Sequence, residues 1–124
     1  MFLHVIIDGR NVQQSRSPNA DERELVEAIA RWATEHARTP IVAVVYGGTY
    51  EGNGPGVFEH DERTVVVATE GEPSGDVIVR EVEELRSESE PVIVATSDAA
   101  LRTRVETLGA KVIGGDSFLR TVLP

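Results

Sequence analysis

Short runs of consecutive apolar, largely β-branched residues punctuate this chain, and they constrain its fold more than any other feature. The first is VII at 5–7. IVAVVY at 41–46, TVVVAT at 64–69 and PVIVAT at 91–96 follow, and a shorter run lies at 110–113. Each has the length of a buried strand. Helical periodicity fills most of the gaps between them. Leu25, Ile29, Trp32 and His36 share one face, predicting a helix over residues 20–38, with Asn19 and Glu22 as a capping box and Thr39-Pro40 as its end. Ser74 opens a second helix with Ile78, Val82 and Leu85 as its stripe. Ser97 opens a third, with Leu101, Val105 and Leu108 buried and Gly109 closing it. Gly114 to Ser117 leads into a brief C-terminal helical turn. Strands alternating with helices predict an α/β three-layer sandwich, with a mainly parallel five-stranded sheet and helices on both faces. Residues 47–56 read as a mobile glycine-rich loop. The link from 41–46 to 64–69 lacks a helix unless residues 57–62 form a short one.

At 124 residues the sequence reads as one domain, 1–124, with a single core. No apolar run approaches a membrane span, and no basic leader precedes the first strand, so neither membrane nor export is expected. The chain has no cysteine, which removes disulfides, thiolate metal sites and a cysteine nucleophile, and fits a reducing cytoplasm. A net charge of −9 argues against a broad basic surface for nucleic acid. An acidic cleft holding divalent cations stays compatible with it.

Two apolar runs stop at an aspartate: Asp8 after the first, Ser97-Asp98 after the fourth. A lone Asp-Gly after a strand is ordinarily a turn; the recurrence is what points to chemistry. In open α/β sheets ligands bind outside the carboxyl ends of the strands, at the point where strand order reverses. With strand order 3-2-1-4-5, Asp8 and Asp98 face each other there and Asp76 reaches in from the preceding helix. Carboxylates so close raise one another's pKa unless a cation lies between them. Mg²⁺ or Mn²⁺ suits such oxygen ligands, activates water and stabilises phosphoryl displacement. Asn11 and Ser97 can hydrogen-bond the ligands or a phosphate, and Arg10 can neutralise a nonbridging oxygen. His4, His36 and His60 lack metal-ligand spacing, and no Gly-x-Ser-x-Gly elbow exists.

Ile7-Asp8-Gly9-Arg10-Asn11-Val12, Ser74-Gly75-Asp76-Val77-Ile78 and Ala95-Thr96-Ser97-Asp98 resemble, in order, the three signature segments of NYN domains in the PIN-like nuclease superfamily, among them the YacP-like group. The resemblance spans residues 3 to about 119. It implies the 3-2-1-4-5 sheet, a Mg²⁺- or Mn²⁺-dependent site and endonucleolytic cleavage of RNA. Asp8, Asp76 and Asp98 are then the metal-binding acids, with Asn11 and Ser97 in support and Asp116 able to supply a fourth carboxylate. The chain departs from the pattern at Arg10, where an aromatic residue is usual, and at Gly47 and Val77, where acids often stand. Two functions follow: a metal-dependent endoribonuclease, or a non-catalytic RNA- or ribosome-binding module with a degenerate site. The acidic surface suggests a ribosome or protein partner that delivers the substrate.

Overall fold

A computed structural model describes residues 2–124. The apolar runs become β1 (His4–Asp8), β2 (Ile41–Tyr46), β4 (Thr64–Ala68), β5 (Val92–Ala95) and β6 (Lys111–Ile113), all mutually parallel where they pair. Their spatial order is the expected one. A sixth strand, β3 (Gly56–Glu59), adds antiparallel to β4, so the sheet runs β3-β4-β2-β1-β5-β6. β3 replaces the short helix considered for residues 57–62. Two backbone N–H groups, of Arg63 and Thr64, bond the Asp61 carboxylate at 2.9 Å each and fold the β3–β4 hairpin.

Strand alternation divides the apolar side chains between two faces. Val5 and Ile7 of β1, Val42, Val44 and Tyr46 of β2, and Ala95 of β5 join one core. Ile6, Val45, Val92 and Val94 point into the other. The first core is covered by α1 (Gly9–Gln13), α2 (Glu22–Glu35) and α5 (Gly115–Val122), through Val12, Leu25, Val26, Ile29, Phe118, Leu119 and Val122. The second is covered by α3 (Ser74–Ser87) and α4 (Ala99–Thr107), through Ile78, Val82, Leu101 and Val105. No helix among the described residues is long and apolar enough to cross a membrane.

The helix starts differ from expectation in detail. α1 is an added turn directly after β1, anchored by the fully buried Val12. α2 is capped by Asp21, whose carboxylate accepts the Glu24 N–H at 3.1 Å, in place of the Asn19–Glu22 box, and it ends at Glu35. Asp98 caps α4 where Ser97 was expected, α3 starts after Pro73 with Ser74 as its first residue, and α5 extends the expected C-terminal turn to eight residues. β1 continues into β2 on one side while β5 continues into β6 on the other, through helices on opposite faces. The crevice between the ends of β1 and β5 is therefore the reversal point.

Candidate functional site

Asp8 is the last residue of β1 and is only 8% exposed. Beside it, the fully buried Thr96 follows β5 and uses its hydroxyl twice. The O–H donates to Asp8 Oδ2 at 2.9 Å, and the oxygen accepts the Asp98 backbone N–H at 3.1 Å. Asp98 in turn caps α4, its Oδ1 accepting the Leu101 N–H at 2.9 Å. One hydroxyl thus ties the Asp8 carboxylate to the backbone of Asp98, ninety residues away in sequence. Burial raises the Asp8 pKa above its ordinary 3.8; the Thr96 bond opposes that rise, and the Asp98 charge adds to it.

A second layer of bonds holds the crevice together. Asn11 of α1 accepts the Ser97 N–H on its Oδ1 at 2.9 Å, and Ser97 Oγ accepts the Gly115 N–H at 2.8 Å. The loops after β1, β5 and β6 are thereby tied to one another. A Cβ on Gly115 would stand 2.8 Å from Asn11 Oδ1, so this junction admits only glycine without displacing the brace. Asn11 and Ser97, expected beside the metal ligands, spend these side-chain atoms on positioning the two aspartate-bearing loops.

Arg10 lies with its guanidinium carbon 5.3 Å from the centre of the Tyr46 ring and its Nη2 3.8 Å from Glu22 Oε2, with its side chain 42% exposed. Tyr46 closes tightly on α1: a Cβ on Gly9 would come within 2.9 Å of its ring. The ring stacks on Tyr50 at 5.5 Å, and its buried hydroxyl has no partner among the described residues. Burial, and next the charge of Glu22, raise the Tyr46 phenol well above its ordinary pKa.

The remaining candidate acids face arginines. Asp76, in the first turn of α3, accepts a hydrogen bond from Arg104 of α4 at 3.0 Å, and Asp116 pairs with Arg120 at 3.5 Å. Among the described residues no three His, Asp or Glu side chains gather as a metal cage. Asp8 and Asp98 come together; Asp76 and Asp116, expected as third and fourth ligands, do not join them in this arrangement. Two carboxylates still suit a hard cation that keeps its waters and takes the rest of its shell from a bound phosphate. Thr96, Gly115 and Arg104 stand out in the structure and not in the sequence. Thr96 had one visible signal, a polar residue ending an apolar run two positions before an aspartate.

A family model described as a YacP-like NYN domain matches residues 5–123. No curated protein matches the sequence. Among solved structures, Rae1 (YacP) from Bacillus subtilis aligns with a TM-score of 0.75 at 21% identity, covering 95% of this chain and 72% of that one. A single-residue mutant of the same Bacillus subtilis protein aligns with a TM-score of 0.73 at 20% identity, covering 98% and 75%. At these identities the structural likeness bears on the fold alone.

Proposed function

The chain belongs to the YacP-like NYN domain family, and from that premise we propose that it is a metal-dependent endoribonuclease hydrolysing RNA phosphodiester bonds at the β1/β5 crevice. The observation that carries this reading is the Asp8–Thr96–Asp98 linkage. A buried carboxylate is bonded through a shared hydroxyl to the backbone of a second aspartate, whose charge helps raise its pKa, and no cationic side chain pairs with either acid among the described residues. Such an arrangement is costly alone and is relieved by a divalent cation. Asp8 and Asp98 would hold Mg²⁺ or Mn²⁺, with Asp76 as the third acid when it leaves Arg104. The ion supplies a water of lowered pKa and charge stabilisation for an in-line displacement. Thr96 orients the Asp8 carboxylate, Asn11 and Ser97 keep the two loops in register, and Arg10 is placed to meet a nonbridging phosphate oxygen. RNA delivered by a ribosome or protein partner in the cytoplasm fits the net charge of −9.

A specific observation favours a second reading, a non-catalytic RNA- or ribosome-binding module: Asp76 is occupied by Arg104, and no three acids gather. Single-stranded RNA incubated with the wild type and with Asp98→Asn in Mn²⁺ decides between them. Asparagine caps helices as well as aspartate does, so α4 survives the substitution. Cleavage by the wild type that falls at least ~100-fold in the variant supports the nuclease. Intact RNA with the wild type, or equal cleavage by both, overturns it.

A further inference from the structure

The Asp76–Arg104 contact joins the first turn of α3 to the last turn of α4. A Cβ on Gly75 would lie 3.9 Å from Leu101 Cδ1, and the Leu101 N–H is the group that holds Asp98. Asp76 therefore follows directly after a residue that packs on the first turn of α4. Its bond to Arg104 is short at 3.0 Å, yet the two side chains are 51% and 48% exposed. Pairs this open contribute little and exchange readily. The charges around the crevice divide in a consistent way. The two outlying acids, Asp76 and Asp116, each have an arginine, whereas the inner pair, Asp8 and Asp98, has none among the described residues.

We propose that Arg104 holds Asp76 in an exchangeable ion pair while the crevice is free of metal, and that a divalent ion drawing Asp76 inward releases the guanidinium onto a phosphate of the bound RNA. This rests on the nuclease reading and adds a substrate-positioning residue to it. Arginine suits the second role because its planar fork meets phosphate with two parallel hydrogen bonds. The exchange asks a new rotamer of each of two half-exposed side chains. It also keeps the local charge close to neutral at each stage: the ion replaces the guanidinium beside Asp76, and the phosphate replaces Asp76 beside Arg104.

The test measures Mn²⁺ affinity directly, from the paramagnetic signal of free Mn²⁺, for the wild type, Arg104→Gln and Arg102→Gln. Arg102 is exposed on the same helix and forms no ion pair among the described residues, so its variant removes an equal charge without touching Asp76. Relative to that control, Arg104→Gln binds Mn²⁺ up to about five-fold more tightly, the equivalent of ~1 kcal/mol for an exposed pair. In steady-state cleavage the same variant raises KM for single-stranded RNA several-fold while kcat changes less. Equal Mn²⁺ affinity in the two variants, with the wild type binding the ion, overturns the exchange and leaves the Asp8–Asp98 site standing. Tighter Mn²⁺ binding with an unchanged KM overturns the transfer of Arg104 to phosphate. Mn²⁺ bound by Arg104→Gln and not by the wild type supports the latch. No Mn²⁺ binding by any of the three overturns both the exchange and the metal site beneath it.

Discussion

Replacing Thr96 by valine isolates the hydroxyl that couples the two aspartates. Valine matches threonine in shape, so the buried site gains no cavity, and the change is chemical. Asp8 loses its donor and the Asp98 N–H loses its acceptor. A hydrogen bond to a charged group is worth ~1.5–3 kcal/mol, and the part-buried Asp98 N–H left without its acceptor adds a little, so the total comes to about 2–3 kcal/mol at neutral pH. With an unfolding entropy of about 2.1 cal/mol/K per residue, a chain of 124 residues loses about 8–12 °C in Tm. The loss depends on pH in a defined direction. Asp8 is raised above 3.8 in the folded protein, chiefly by burial, so the folded state keeps a proton that the unfolded chain has already released. Stability therefore falls as pH rises from 3.8 through the folded-state value. Removing the Thr96 bond, which holds that value down, deepens the fall. Below the window the protonated Asp8 forfeits only a neutral bond, and the Tm difference shrinks to roughly half. Thermal melts of wild type and Thr96→Val in EDTA at pH 3 and pH 7.5 read both numbers. A loss under about 3 °C at pH 7.5, or an equal loss at both pH values, refutes the linkage.

Gly115→Ala places a methyl group 2.8 Å from Asn11 Oδ1 and 3.0 Å from Ser15 Oγ; overpacking of this kind costs ~1–3 kcal/mol, so melting falls by several degrees and RNA cleavage falls with it, whereas wild-type values in both assays contradict the brace. Tyr46→Phe removes a buried hydroxyl that has no partner among the described residues, and with the ring contacts to Arg10 and Tyr50 kept, the Tm rises by about 4 °C for ~1 kcal/mol recovered; a lower Tm shows that the hydroxyl is satisfied.

The sheet was legible because a strand buried on both faces is written as an uninterrupted apolar run, and β1, β2, β4 and β5 each carry one. β3 was hidden by the opposite circumstance. Gly56–Glu59 is an edge strand of four residues with Val57 and Glu59 exposed, and its hairpin partner, not its own composition, makes it a strand. α1 was hidden because Gly-Arg-Asn after a strand reads as a turn, while Val12, buried in the core, holds it helical. Asn19 and Asp21 are both good caps two residues apart, and local preference alone does not choose between them. At the site, Asp8 and Asp98 were visible as acids ending apolar runs. Arg104 was not, because its bond to Asp76 spans 28 residues between two helices and depends on how α3 and α4 pack. Thr96 was concealed by its neighbours: a small β-branched residue closing an apolar run passes for part of the strand.

The account stands on Asp8 and Asp98 forming one site for a divalent ion. Calorimetric titration with Mn²⁺ of the wild type, Asp8→Asn and Asp98→Asn tests that claim most directly. One saturable site in the wild type, weakened at least ~10-fold in each variant, is the predicted result, since each substitution removes a charged ligand worth more than ~1.4 kcal/mol. Equal Mn²⁺ affinity in all three proteins contradicts it.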